Sequence, residues 1–450
     1  MKVCKFGGSS LANAEQIRKV CDIMLSDPDR RVMVVSAPGK RASEDIKVTD
    51  LLIALANARI SGYDGEKELA DIIRRFSEIA DELQLSSEII VTIEQDLRDR
   101  MCADCSNSLK FMDSMKAAGE DNCAKLVADY LTSIGKTAAY FDPREAGMLL
   151  SEEFGNAQVL PETYDRLALL AKFQGIVVFP GFFGYTPGGE VVTFSRGGSD
   201  ITGSILAAAL DAQIYENWTD VDSVYSVNPN LIPNPHPVAE ITYDEMRELA
   251  YAGFSVLHEE ALTPAYRKGI PVNIRNTNNP STKGTYIVNH RVNFDGIVTG
   301  IAGAKGFCVL NMSKYLMNRE VGFALKVLKI LADEHIPFEH MPSGIDSISI
   351  VMRQNVFTPE REKRVVRRLI NELSVEKVSV DRNLAIVMIV GEAMARTVGV
   401  TARAANSLSK AGVNLEIINQ GSSEISVMFG VREEYCNYAV TELYKEFFLR

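Results

Sequence analysis

The chain has 450 residues, 46% of them hydrophobic and 24% charged, with a formal net charge of −11 at pH 7. That length predicts about three domains of ~150 residues with a sizeable core. The acidic balance argues against nucleic acid or an anionic membrane as the main partner. No apolar run reaches the ~18 residues of a membrane span, and the N-terminus lacks the apolar core of a signal peptide, so the expected location is cytoplasmic. The seven cysteines are scattered and read as reduced thiols. The CxxC formed by Cys102 and Cys105 has no second pair or histidine cluster that would make it a zinc or redox site.

Met1 to Phe6 alternates apolar and basic residues and predicts a strand, followed by the turn Gly7-Gly8-Ser9-Ser10 and by helical spacing at Ile17, Val20, Cys21 and Met24. Arg31 to Ser36 predicts a second strand, closed by Ala37-Pro38-Gly39. Residues 65 to 135 read as mostly helical and less tightly patterned, which suits an insertion or lid. Thr137 to Phe141, Gly175 to Phe179, Gln213 to Glu216 and Pro271 to Ile274 are further strands, and Thr242-Tyr243-Asp244-Glu245 fits a capping box opening a helix to about Ala252. Such alternation implies an α/β fold with a largely parallel open sheet sandwiched by helices.

Ligands of open α/β sheets bind outside the carboxyl ends of the strands. Four loops there are unusual: Lys5 to Ser10, Ser36 to Gly39, Pro180 to Gly184 and Ser195 to Asp200. They are expected to converge on one site. Consecutive glycines let backbone N–H groups approach an anion, and a lysine beside them supplies a full charge. Two such basic, glycine-paired, hydroxyl-bearing turns, KFGGSS and RGGSD, each precede a helix, the second predicted over Ile201 to Leu210. No GxxxxGK[ST], GxGxxG or HRD/DFG set is present, so spacing alone supports a nucleotide only weakly.

Beyond about residue 300 an internal repeat sets Val321 to Met352 beside Val398 to Phe429, a shift of 77 residues. Glu339 then meets Glu416, and Gly344 meets Gly421. Each copy reads as strand, helix, strand, turn, strand, and paired α/β modules without a catalytic cluster suit binding.

KFGGSS, SRGGSDITGSILAAAL (Ser195 to Leu210), WTDVDSVYSVNPN (Trp218 to Asn230) and YAGFSVLHEEAL (Tyr251 to Leu262), followed by the repeat, resemble aspartate kinase over essentially the whole chain. The resemblance implies an amino-acid kinase fold over 1–295, then two ferredoxin-like βαββαβ ACT modules over 300–378 and 379–450. It leaves open that the last stretch, Ala439 to Phe448, completes the first module. The implied reaction is transfer of the ATP γ-phosphoryl group, with Mg²⁺, to the β-carboxylate of L-aspartate, the first step of lysine, threonine and methionine biosynthesis. A carboxylate nucleophile is already ionised at neutral pH, so no general base is required.

Carried over by position, Lys5 stabilises the transferred phosphoryl group and Asp200 holds that lysine in place. Gly7, Gly8 and Ser9 line the phosphates, and Thr219, Asp220 and Tyr225 belong to the nucleotide stretch. Arg196 takes the α-carboxylate of aspartate bidentately, Ser199 and Thr49 complete the pocket, and Glu120 pairs with the α-amino group. Other readings stay open: Thr49 as a helix N-cap, Glu120 as a solvated helix-terminal acid, Arg196 pairing with Asp200, and Trp218 and Tyr225 as packing residues. Two positions depart from the family pattern, Asn230 after Pro229 and Ser255, where relatives carry basic residues; Lys268 and Lys283 are candidate substitutes. No dedicated metal cage is expected.

The ACT-like repeat implies feedback by lysine or threonine at Met312, Glu339, Ser343, Asp346 and Ser347, and a homodimer or higher oligomer. Two alternatives remain at this point, a glutamate 5-kinase-like carboxyl kinase of the same fold and a catalytically silent amino-acid sensor.

Overall fold

The computed structural model describes residues 1–195, 197–254, 259–291, 294–421 and 423–449, with the backbone alone at 259 and 260. Their contacts divide the chain into two units: Met1–Val224 with Pro237–Met246 and Val256–Arg291, and Tyr225–His236 with Arg247–Ser255 and Val292–Arg450. The division is therefore not one cut near residue 295, because two short earlier segments group with the second unit.

Up to Val288 the strands are β1 (Lys2–Phe6), β2 (Arg30–Val35), β3 (Ala138–Tyr140), β4 (Ile176–Pro180), β5 (Phe183–Tyr185), β6 (Val191–Thr193), β7 (Ile214–Thr219), β8 (Val224–Tyr225), β9 (Pro237–Val238), β10 (Glu240–Thr242), β11 (Val272–Asn276) and β12 (Thr285–Val288). The helices are α1 (Ala14–Leu25), α2 (Val48–Ile60), α3 (Glu66–Glu82), α4 (Glu88–Met101), α5 (Ser108–Ser133), α6 (Pro143–Ala146), α7 (Glu162–Leu167), α8 (Gly198–Ala209), α9 (Tyr243–Tyr251) and α10 (Thr263–Lys268).

An eight-stranded sheet runs in the order β10-β12-β11-β7-β1-β2-β4-β3. Its central members β7, β1, β2 and β4 are mutually parallel, and β12 is antiparallel to β11. Central strands covered on both faces need continuous apolar runs, and β2 (RRVMVV) and β4 (IVVFP) supply them. The capping box forms: the Thr242 amide donates to Glu245 Oε2 at 2.9 Å, and the Glu245 amide donates to Thr242 Oγ1 at 3.2 Å.

The helices between residues 65 and 135 are not a loose lid. Leu69, Ile72, Phe76, Ile93, Leu97 and Phe111 share one core with Phe6, Leu11 and Met33. The weak patterning lies in α5 and reflects its burial on most sides, since that helix buries fifteen residues between Phe111 and Leu131.

The second unit adds β13 (Gly300–Ser313), α11 (Phe323–Asp333), β14 (Ser347–Arg353), α12 (Pro359–Leu373), β15 (Lys377–Val390), α13 (Val400–Lys410), β16 (Ile417–Gln420), β17 (Ser426–Arg432) and α14 (Cys436–Phe448). Helices α11 and α13 stand 77 residues apart (Phe323 to Val400), and each follows a left-handed glycine, Gly322 at φ 77° and Gly399 at φ 86°. The five-stranded sheet has the order β14-β13-β15-β17-β16 and is antiparallel throughout.

The two modules are interleaved rather than consecutive. The second half of β13, Phe307 to Ser313, pairs with β14 and with the first half of β15, and its Cys308, Leu310 and Met312 join Val327, Leu331, Val365 and Leu369 in one core. The first half, Gly300 to Lys305, pairs with Ala385 to Val390, and Ile301 joins the other core with Val387, Ala404 and Phe429. A boundary at 378/379 would thus cut β15 internally. The stretch from Ala439 does not complete the first module: Ala439, Val440, Leu443 and Tyr444 of α14 lie in the second core.

Candidate active site

The turn after β1 is built by close approach. Gly8 to Leu11 form a single 3₁₀ turn, and α1 begins only at Ala14. An ideal Cβ on Gly8 would stand 2.9 Å from the Ala37 carbonyl oxygen, and one on Gly39 would stand 2.5 Å from the Gly8 carbonyl carbon. Both glycines are therefore required by backbone packing, and the Gly39 amide donates to Gly8 O at 2.8 Å. A Cβ on Gly7 would meet nothing closer than 3.7 Å, with Lys5 Nζ one of the two atoms at that distance. The amides of Gly8 and Ser9 open the turn, where a helical turn leaves N–H groups without an internal acceptor.

All four loops singled out at the carboxyl ends of the strands meet around this turn. The Ser36 amide donates to Phe6 O and the Gly181 amide to Val35 O, at 3.3 and 2.9 Å. A Cβ on Gly181 would lie 2.6 Å from Ser199 Oγ. Gly197, left-handed at φ 76°, caps α8 and brings Asp200 into that helix's first turn.

At the centre Lys5 Nζ and Asp200 Oδ1 are 2.6 Å apart, both side chains largely buried. Asn217 Nδ2 donates to the same oxygen at 2.8 Å. Asn217 stands opposite Lys5 in the parallel register of β1 and β7, a relation that residue spacing does not reveal. Ser10 Oγ and Thr277 Oγ1, 2.8 Å apart, tie the far side of the turn to the end of β11.

Glu120 is not a solvated helix-terminal acid. It sits in the middle of α5, and Gly119 before it lets that helix approach so closely that a Cβ there would meet Ala37 Cβ at 2.7 Å. Burial pushes the Glu120 carboxyl up to about 8, while the Ala37 backbone amide and the Lys5 charge pull the other way. Its Oε2 is buried without a hydrogen-bond partner. Ser199 is buried in the first turn of α8. Thr49 is half-buried in the first turn of α2, whose N-cap is Lys47, so it is not that helix's cap. Arg196 lies outside the described residues, as does Ser255.

The nucleotide stretch divides. Thr219 ends β7 and donates to the Asp220 side chain at 3.2 Å, with Asp220 exposed. Trp218 is core: it stacks on Phe6, and the guanidinium groups of Arg30 and Arg275 stand 5.2 and 4.5 Å from its ring. Its Nε1 donates to Glu216 Oε2 at 3.0 Å, an oxygen that Arg30 Nε also holds at 2.8 Å. Tyr225 is half-buried and belongs to the second unit. Lys268 pairs with Asp211 at the surface, Lys283 is exposed, and Asn230 is exposed. Among the described residues no three His, Cys, Asp or Glu side chains are grouped as a metal site.

In the second unit Ser343, Asp346 and Ser347 share one turn. Ser343 bridges Ile348, and the Gly344 amide donates to Ser347 O at 2.8 Å. Asp346 Oδ1 is buried there without a partner. Two expected members have other partners. Met312 packs into the first core at 2% exposure, and Glu339 lies beside Val351, further along the strand, where it pairs with Arg353 at 3.5 Å. Met312 stands opposite Ile348 in the strand register, next to the turn, with its side chain in the core.

The amino acid kinase family model matches residues 1–276 and an ACT domain model matches 387–447. Aspartokinase 3 of Bacillus subtilis is 53% identical over 448 residues, covering 100% of this chain and 99% of that one. The chain belongs to the aspartokinase family. Aspartokinases phosphorylate aspartate with ATP. The crystal structure of Clostridium acetobutylicum aspartate kinase superposes with a TM-score of 0.86 at 36% identity, covering 99% of this chain and all of that one. Escherichia coli aspartokinase III matches in complex with aspartate and ADP (TM-score 0.76, 27% identity, 99% of each chain) and with lysine and aspartate (TM-score 0.75, 27%, covering 100% and 99%).

Proposed function

We propose that the Lys5–Asp200 centre is where this aspartokinase moves the phosphoryl group. The 2.6 Å ion pair at the mouth of a glycine turn is the observation that carries the reading. An oxygen of the aspartate β-carboxylate attacks the γ-phosphorus, the bond to the β–γ bridging oxygen breaks, and ADP leaves. No proton moves, so positioning and charge stabilisation supply the catalysis. Lys5 offsets the charge gathering on the transferred group, with Asp200 fixing its direction and Asn217 fixing Asp200. The Gly7, Gly8 and Ser9 backbone faces the phosphates, and Thr219 and Asp220 border the nucleotide, with Tyr225 assigned to it by resemblance. Mg²⁺ would arrive with ATP, held chiefly by phosphate oxygens and water, and would offset their charge.

The acceptor is read at both ends. Glu120 takes the ammonium group, its unpaired Oε2 supporting this role. Arg196, Ser199 and Thr49 take the carboxylate side. An amino-acid end product, lysine or threonine, binds at the Ser343–Ser347 turn, a reading supported by the unpaired Asp346 Oδ1. The chain works in the cytoplasm as a homodimer or higher oligomer joined through its regulatory units; a sedimentation mass of one chain would remove that part.

Hydroxylamine traps the acyl phosphate product as a coloured hydroxamate. Wild-type protein with Mg·ATP and aspartate gives the colour, and Lys5→Ala gives about 10²-fold less or lower still. An unimpaired Lys5→Ala would reject this centre.

A further inference from the structure

Arg75 interrupts the apolar face of α3. Leu69, Ile72, Phe76 and Ile79 line that face, and Arg75 is buried among them at 4% exposure. Its Nη2 donates to the carbonyl oxygens of Gly39 at 2.6 Å and Ala12 at 3.1 Å. Its Nη1 meets Asp45 Oδ2 at 2.5 Å. Asp45 is held in turn by Arg41, whose backbone amide and Nε both donate to it at 2.9 Å. The two arginines keep the Asp45 carboxyl far below the usual carboxylate range, with Arg41 the larger influence.

These contacts lie around the phosphoryl turn. Ala12 closes the 3₁₀ turn Gly8–Leu11 on one side. Gly39 presses on Gly8 from the other, in backbone contact and through its amide bond to Gly8 O. Asp45 sits in the same loop, two residues before the Lys47 cap of α2. One guanidinium, fixed in a rigid fork, spans two points of this loop and the end of the Gly8–Leu11 turn, and so adds a side-chain tie to the backbone bond between Gly39 and Gly8.

We infer that Arg75 is a positioning residue for phosphoryl transfer: it clamps the Gly39 loop and the end of the Gly8–Leu11 turn together, so that the backbone facing the phosphates is set before ATP arrives. The inference rests on the reading of Lys5 to Ser9 as the phosphoryl site. It also gives α3 a task that its sequence position does not announce. Lysine offers one nitrogen where the guanidinium uses two, so it could replace Nη2 at the two carbonyls or Nη1 at Asp45 but not both, and Arg75→Lys keeps the charge while breaking the clamp.

The test is steady-state kinetics of Arg75→Lys and Arg75→Ala in the full chain, with melting temperatures and with Lys5→Ala in parallel. A misplacement on the ångström scale costs up to about 10²-fold. The expected result is a fall of at least about tenfold in kcat/KM for ATP in Arg75→Lys, larger than its lowered melting temperature accounts for, with the KM for aspartate within about threefold of wild type. Should Arg75→Ala not fold, the lysine variant decides. Unchanged kinetics in Arg75→Lys, an equal rise in both KM values, or a loss that follows melting temperature would overturn the inference. Full activity in Lys5→Ala would instead overturn the site reading beneath it.

Discussion

Asn217 donates to the same Asp200 oxygen that holds Lys5, at 2.8 Å, from the β7 position that stands opposite Lys5. The ammonium is thus aimed by a carboxylate that is itself aimed. Asp200→Ala removes the direct partner and is expected to lower kcat by about 10²-fold, on the scale of single electrostatic contacts in active sites. Asn217→Ala leaves the ion pair but frees its orientation, and about a tenfold loss follows. Because the two act through one oxygen, the double variant falls short of the product of the singles. A multiplicative double variant would mean that Asn217 does not act through Asp200.

Gly39→Ala tests the backbone contact under the phosphoryl turn. The added Cβ would stand 2.5 Å from Gly8 C and 2.8 Å from the Ser9 amide, and neither atom belongs to a flexible side chain. The loops must part. A destabilisation of about 1–3 kcal/mol is expected from overpacking of this kind, seen in urea unfolding, together with a loss of activity larger than that of a surface variant of equal stability. Gly7→Ala, with 3.7 Å of room, is the control: it leaves stability nearly unchanged and alters only the approach of the nucleotide.

How far the sequence could be read depended on whether a feature was local. Lys5, the glycine pair and Asp200 lie in short motifs whose chemistry travels with the motif. Convergence of the four loops followed from the rule for carboxyl ends of parallel strands. Asn217 was silent because its role comes from strand register, and Arg75 was silent because a charge within an amphipathic helix reads as solvated. Met312 and Glu339 were grouped with the Ser343–Ser347 turn by the ACT-like repeat, whereas the structure buries the Met312 side chain in the core opposite Ile348 and pairs Glu339 with Arg353. Interleaving was expected through the last stretch, Ala439 to Phe448, but it runs through β13 and β15, long strands serving both cores, and a repeat search sees two copies rather than a shared strand.

The Glu216 cluster is expected to matter for stability alone. Its carboxylate is buried and takes bonds from Arg30 and Trp218, with Lys2 and Arg275 within 4 Å. Removing one member of a buried pair leaves the other charge uncompensated, at about 3–5 kcal/mol. Glu216→Ala should lose that much in chemical unfolding. At temperatures where the variant remains folded, both KM values should stay near wild type. A selective change in the KM for ATP would give Glu216 a part in the site.

The Glu120 carboxyl supplies a pH dependence whose sign is fixed. Its ordinary value is 4.5 and burial pushes it up to about 8, so between those values the folded state binds a proton that the unfolded state has released. Stability without substrate therefore falls as pH rises from about 5 to 8 and levels off above. Glu120→Gln removes this slope and is more stable than wild type at pH 8, with the gap closing toward pH 5. Binding runs the other way, because the ammonium group of aspartate needs the ionised carboxylate. The KM for aspartate should rise by about tenfold per unit of pH below 8 in the wild type and stay flat, though high, in Glu120→Gln. Calorimetry in buffers of different ionisation enthalpy should record about one proton released per aspartate bound near pH 7. No proton release, with a flat wild-type KM, would mean that Glu120 meets the substrate already ionised or does not meet it at all.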